Sequence, residues 1–320
     1  MFGRRKHIGL ALGAGGARGI AHIGVLRLFE NESIPIDLLV GTSIGALVGA
    51  AFASGITTHD LAERVGAFLR DPIFLNSSLE SIRELEANKK LSLIQKIQGF
   101  FKNHLLLVEA LFRPGMLEDE NFRAMIDFFV PDIQIQDTLI PFRAVAVDLV
   151  SGQLVVSSHG SLREAVLASC AVPGAVAPHL SNDMLLADGG VICMVPTTVA
   201  RAEGADLVIA VSVNPRLAPL QKLTSAVDVY VRATNVGIYQ NEQRLLKQAD
   251  VVITPQVGDL HWTDFGLATD LIIAGENAAR EKLPQIRKAL PIFSRWAIPG
   301  AFRVRKPRRI TFPLHTHSSR

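Results

Sequence analysis

Residues 36–53 place three demands on the chain that few folds meet together. The apolar run Ile36, Leu38, Leu39, Val40 reads as a buried strand, and Ala46 to Ala53 reads as a helix. Between them, Gly41-Thr42-Ser43-Ile44-Gly45 leaves only a few residues in which the backbone must turn. A serine with glycine two residues away on each side, at a strand-to-helix turn, has the pattern of a nucleophile elbow. The glycines permit a strained backbone and close neighbours, and the helix N-terminus favours negative charge developing at the hydroxyl. The string by itself also suits helix packing, so its surroundings decide.

One competing reading concerns the same stretch. Leu38 to Thr58 is twenty-one residues without a charge and contains Gly41-x-x-x-Gly45 and Gly45-x-x-x-Gly49, which resembles a membrane span with a packing motif. Its four glycines, three threonines and two serines, and its β-like opening, favour a strand, an elbow and a buried helix. A second competing reading is at the N-terminus, where Arg4-Arg5-Lys6 precedes Ile8 to Ala14 in the manner of an export signal. The apolar stretch is short and glycine-rich, and Arg18 follows soon after, so it reads as a first strand. Two cysteines, Cys170 and Cys193, exclude a disulfide framework and fit a reducing, cytoplasmic setting.

With 320 residues, 48% of them hydrophobic, the chain can bury a large core. Its charge is uneven. Pro291 to Arg320 carries seven basic residues (Arg295, Arg303, Arg305, Lys306, Arg308, Arg309, Arg320) and no acidic one. Without them 26 basic residues face 30 acidic ones, so the high pI belongs to this tail and the body is acidic. The expected division is therefore a single domain over 1–290 and a basic tail over 291–320. That tail suits either peripheral contact with an anionic membrane or a solvated end; no specific nucleic-acid site is indicated.

Read by periodicity, the chain alternates strand and helix. Expected strands are Ile8–Leu12, the elbow strand, Phe142–Leu149, Gln153–Ser157, one ending at Ala187, Asp206–Val213 and Val251–Thr254. Expected helices are Ile20–Asn31, Ala46–Ala53, Thr58–Leu69 with Thr57 or Thr58 as cap, Leu162–Ser169, one beginning near Pro196, Gln221–Ala249 and most of Asp264–Leu290. Residues 76–115 break the rhythm. There Ser92–Arg113 is amphipathic and suits a helical insertion over a site or at a membrane surface. The pattern is that of an α/β fold, a three-layer α/β/α sandwich around a mostly parallel sheet.

Two further segments bear on the chemistry. Gly13-Ala14-Gly15-Gly16-Ala17-Arg18-Gly19 joins the first strand to the first helix, so its N–H groups can converge on an anion. Dinucleotide binding fails in detail, because G-x-G-x-x-G needs glycine where Arg18 stands, and no P-loop lysine is present. An oxyanion hole fits better, because the elbow serine arrives one βα unit later and neighbouring parallel strands would bring both loops to one sheet edge. Asp188-Gly189-Gly190 closes a strand and is either turn chemistry or the position of a base. A Ser–Asp–His triad of Ser43, Asp188 and His261 competes, against which stand the single strand before the elbow strand and the early glycine loop. His22, beside the glycine loop, suits packing or a hydrogen bond, and no histidine pair has metal-ligand spacing.

In this order, Gly15-Gly16-Ala17-Arg18-Gly19, Gly41-Thr42-Ser43-Ile44-Gly45 and Asp188-Gly189-Gly190 resemble the three blocks of the patatin-like phospholipases. Ala168 to Gly174 with Pro178 resembles that family's run ahead of the aspartate. The likeness spans residues 8–213 and is greatest to bacterial single-domain members related to neuropathy-target-esterase-like proteins. It implies a lipid acyl ester as substrate, no cofactor and no metal. It also implies Ser43 as nucleophile, Asp188 as base, and the N–H groups of Gly15, Gly16 and Ala17 as oxyanion hole, with Arg18 anchoring the loop and Gly19, Gly41, Gly45, Gly189 and Gly190 in support. A patatin-like fold retained only for binding is the other class the resemblance allows. Family members often carry asparagine shortly after the aspartate block. Here Ile192-Cys193-Met194-Val195-Pro196 follows, so the sequence does not show what supports the aspartate loop.

Overall fold

The computed structural model describes residues 6–70, 119–214, 216–217, 223, 226–258 and 265–290. The expected insertion at 76–115, His261 and the basic tail at 291–320 lie outside these residues.

Strand β1 (Ile8–Leu12) leads through a 3-10 turn (Gly16–Ile20) into α1 (Ala21–Asn31). The turn takes over the first residue of the expected helix. Next come β2 (Leu38–Thr42), α2 (Ile44–Ala53) and α3 (Thr58–Phe68). Thr57 caps α3 as expected, its hydroxyl accepting from the Asp60 N–H at 3.1 Å. After α4 (Asp119–Phe129) come β3 (Phe142–Asp148), β4 (Leu154–Ser157), α5 (Leu162–Ser169), β5 (His179–Ser181) and β6 (Met184–Asp188). The chain then forms α6 (Thr197–Ala202), β7 (Leu207–Val211), α7 (Ala226–Leu246), β8 (Val251–Ile253) and α8 (Ala268–Ala289). Helix α4, whose Phe122, Ile126 and Phe129 recur at helical spacing and are buried, was not among the expected elements, nor was β5, whose three residues are too few to show a period.

The strands form one sheet in the order β5-β6-β3-β2-β1-β7-β8, with β4 also paired to β3. Pairs β1–β2, β1–β7, β2–β3 and β7–β8 are parallel, whereas β4, β5 and β6 join antiparallel. Strand side chains alternate between faces, and both faces of the central strands are covered. Ile8, Leu10, Leu12, Leu207, Ile209 and Val211 belong to the large core under α1, α2 and α8. Ala11, Val40, Val208 and Ala210 belong to a second core under α6 and the end of α7. That two-sided burial explains the near-continuous apolar runs of these strands. Among the described residues, no helix is long and apolar enough to cross a membrane.

Helices α1 and α8 pack almost backbone to backbone. A Cβ on Gly24 would overlap the Ile272 carbonyl oxygen, and one on Gly275 would overlap that of Ala21. This contact seats the helix that leaves the glycine loop. Alanine in place of glycine favours an exposed helix by about 1 kcal/mol, but here the obstacle is backbone and cannot rotate away. Gly275→Ala is therefore expected to lower stability by about 1–3 kcal/mol, read as a reduced urea midpoint at unchanged slope.

Candidate active site

Strand register brings the three sequence blocks together. Leu12 of β1 pairs with Gly41 of β2, so the glycine loop and the Ser43 turn leave neighbouring parallel strands at the same edge. Strand β6 approaches from the opposite direction. Asp188 pairs with Ala146 of β3, one residue beyond Val145, which pairs with Thr42. The end of the aspartate strand therefore arrives beside the end of the serine strand.

Ser43 has φ 57° and ψ −127°, outside the regions open to most L residues. Its carbonyl accepts from the Ala46 and Leu47 N–H groups and starts α2. A serine at a helix start ordinarily turns its hydroxyl onto the first free N–H groups, but this one makes no such bond. The turn sits close to its surroundings. A Cβ on Gly41 would overlap Ala46, and one on Gly45 would overlap the Leu12 carbonyl, so only glycine fits at either flank. The Ser43 N–H donates to Ser169 Oγ at 2.9 Å, and that hydroxyl donates to the Val145 carbonyl at 2.6 Å.

Asp188 is buried, and its Oδ1 accepts from the Gly190 N–H at 2.7 Å. Burial raises its pKa to about 6, against smaller stabilising effects of the Ser43 side chain and the Gly190 N–H on the carboxylate. Gly189 lies against the Val145 carbonyl, where a Cβ would come within 2.5 Å. The Cys170 thiol also adjoins Ser43 and Asp188, and burial, then the Asp188 charge, push its pKa up.

The glycine loop is fixed from several sides. Gly13 N–H donates to the Val211 carbonyl (3.0 Å), and Ala14 N–H donates to that of Met194 (2.9 Å). Gly16 has φ 57°, a left-handed conformation that favours glycine. Gly16 and Ala17 open the 3-10 turn, whose internal bonding leaves their N–H groups unused. Arg18 Nε donates to the Gly15 carbonyl at 3.1 Å, and Gly19 packs on Ile44. His22 Nε2–H donates to the Gly13 carbonyl at 2.8 Å, the hydrogen-bonding role expected of it. Burial lowers its pKa to about 4, so it is neutral.

Ser43, Asp188, Gly15, Gly16, Arg18 and Gly190 line one cavity of about 520 Å³, a size usual for small-ligand sites. Ala17 is fully buried and is not part of the wall. Away from Ser43 the cavity is apolar, walled by Leu47, Val48, Leu61, Val65, Phe68 and Phe129. Phe68 and Phe129 meet edge to face at 5.3 Å.

Several contributors carried no motif. Neither Ser169, the end of an expected helix, nor Cys170, one of two cysteines, carried a site motif beyond the run resembling the family's. Asn241, on α7, donates to the Ile192 carbonyl at 2.6 Å and so supports the aspartate loop where the usual asparagine is missing. Asn214, just beyond β7, donates to the Ala14 carbonyl at 3.1 Å. A polar residue at the end of a central parallel strand was the signal available for Asn214; Asn241 had none.

Residues 10–201 match the family model described as patatin-like phospholipase, and the chain belongs to that family. It is 33% identical over 213 residues to an uncharacterized NTE family protein of Mycobacterium tuberculosis, covering 65% of this chain and 49% of that protein. It is 32% identical over 209 residues to human patatin-like phospholipase domain-containing protein 6, covering 65% of this chain and 13% of that one. The chain thus spans half or less of the length of these curated relatives. Among solved structures it is similar to VipD from Legionella pneumophila, with a TM-score of 0.45 at 14% identity over 88% of this chain and 67% of that one.

Ser169 gives the Ser43 N–H a side-chain acceptor. Ser169→Ala is expected to cost about 1–3 kcal/mol, because the buried Ser43 N–H loses its partner. Chemical denaturation measures that loss, and an unchanged stability would mean that water or a shifted backbone replaces the hydroxyl.

Proposed function

We propose that this protein is a serine acyl hydrolase of lipid esters, of phospholipase A or lysophospholipase type, working through a Ser43–Asp188 dyad. Asp188 carries this reading, as a carboxylate whose pKa burial raises to about 6, beside a serine whose hydroxyl is not used as a helix cap. An unperturbed aspartate, near 3.9, is a poor base at neutral pH, and the raised value narrows that gap while leaving the group ionised. Asp188 takes the proton from Ser43 Oγ as the oxygen attacks the acyl carbonyl carbon. The oxyanion that forms is held by the N–H groups of Gly15 and Gly16, which line the cavity at the head of the turn that runs into α1, whereas buried Ala17 does not reach it. Collapse breaks the ester C–O bond, the leaving oxygen takes the proton from Asp188, and water then releases the acyl group by the same steps. The apolar walls around Leu61, Val65 and Phe68 suit an acyl chain.

Ser43→Ala and Asp188→Asn are each expected to lower kcat by at least about 10³-fold with the fold intact. Because the base must be ionised, kcat/KM should rise with pH up to about 6 and level above it. A fluorophosphonate should label the wild-type protein and not Ser43→Ala. His261→Ala should keep most activity. A folded, inactive His261 variant would instead establish the Ser–Asp–His alternative, and a wild type neither labelled nor active on a panel of lipid esters would leave a binding role.

A side chain at Gly16 meets the strained φ of 57° and turns a donor away. Gly16→Ala is expected to reduce kcat by about 10²–10³ while KM changes little. A defect confined to KM would instead point to a binding site for a substrate phosphate.

A further inference from the structure

Glu242 is a buried carboxylate that the mechanism above does not use. It lies on α7, outside the family-matched residues, and is 3% exposed. Its Oε1 accepts from Ser212 Oγ at 2.7 Å and from Asn214 Nδ2 at 3.3 Å. It also faces Arg18 electrostatically, each charge favouring the other against the burial that opposes both. A carboxylate so placed is costly unless each of its partners serves it.

Two of these three partners, Asn214 and Arg18, lead to the glycine loop. The same Asn214 amide nitrogen that bonds Glu242 gives its other hydrogen to the Ala14 carbonyl, at 3.1 Å. Arg18 Nε donates to the Gly15 carbonyl at 3.1 Å. In a planar trans peptide the C=O and the following N–H point in opposite directions. A hydrogen bond that fixes the Ala14 carbonyl therefore fixes the Gly15 N–H, and one that fixes the Gly15 carbonyl fixes the Gly16 N–H. These are the two oxyanion donors that line the cavity.

We propose that Glu242 is a positioning residue: it holds Asn214 by a hydrogen bond and favours Arg18 by its charge, and through Asn214 first of all sets the peptide planes that aim the Gly15 and Gly16 N–H groups into the cavity. This rests on the acyl-hydrolase reading for its effect on rate, but the effect on the loop can be read without turnover. The role also needs the charge and not only an acceptor. Glutamine can still accept from Asn214 and Ser212, but it offers Arg18 no negative partner.

The test uses the full chain, a soluble short-chain nitrophenyl ester and a fluorophosphonate probe. Glu242→Gln is expected to lower kcat about 10-fold, part of the 10²–10³ carried by a whole oxyanion donor, with KM within about twofold and slower labelling of Ser43. Asn214→Ala, a second route to the same loop, should give the same kcat-type loss if Glu242→Gln folds poorly. In an Arg18→Met background Glu242→Gln should add little, because the two act in series. A kcat within twofold of wild type in both Glu242→Gln and Asn214→Ala, or costs of Glu242→Gln and Arg18→Met that simply multiply, would overturn the role. Should the wild type neither turn over nor label, the acyl-hydrolase reading fails. Amide exchange then decides the positioning role: faster exchange at Gly15 and Gly16 in Glu242→Gln, with the sheet unchanged, supports it, and unchanged exchange at both refutes it.

Discussion

Ser43 occupies a backbone conformation that costs an L residue about 1–3 kcal/mol, and much of the surrounding structure follows from holding it there. The strand before it is clamped by parallel neighbours on both sides, and Thr42 Oγ1 donates to the Cys193 carbonyl at 3.0 Å. The helix after it is anchored through the Ser43 carbonyl, and the N–H is held by Ser169. With both ends fixed and glycine alone fitting at 41 and 45, relaxing the turn would mean moving a central strand or a buried helix. The strain also has a chemical consequence, because it withdraws the hydroxyl from its usual capping bond and leaves it beside Asp188.

The second constraint is desolvation, which acts differently on each titratable group near the turn. His22, with Nε2 bound to a carbonyl and its pKa near 4, has no useful charge change at neutral pH. Cys170 is held as a thiol. Burial favours the uncharged form of all three, but of these only Asp188 is left with a pKa close to neutral pH, and the step from 3.8 to about 6 corresponds to roughly 3 kcal/mol in favour of the protonated acid. Its effect on stability has the opposite sign to that of a salt-bridged aspartate. Between 3.8 and about 6 the folded chain binds more protons than the unfolded one, so this group's contribution falls as pH rises through that window. A buried carboxylate that weakens the fold at the pH where it is ionised fits the proposed role of base better than a structural one.

Much of the fold was legible because its signals are local. Parallel strands buried on both faces appear as apolar runs, and the glycine strings at 13–19 and 41–45 mark turns with close neighbours. Boundaries differed by a few residues, as at Ile20, where a 3-10 turn replaces the first residue of the expected helix. The antiparallel entry of β6 was not legible, since nothing in Met184–Asp188 encodes direction. Nor were Asn214, Asn241 and Glu242, whose roles depend on which carbonyl or side chain the fold places opposite them. Glu242 sits in a helix exposed along most of its described length, where a single acidic residue gives no sign of being buried.

That distribution of signals has a physical basis. The groups that would make and break bonds sit in turns whose backbone demands fix the residue type, so they form recognisable strings. The groups that orient those turns need only present a donor or acceptor from a suitable direction, and many residue types on many elements can do so. Asn241 illustrates this: the aspartate loop lacks the asparagine often found a few residues downstream, and an amide from α7 reaches the Ile192 carbonyl instead. Support of this kind can move from one element to another while the strand ends and turns stay where they are. The family match covers residues 10–201, yet α7, beyond that match, supplies part of what holds both loops in place.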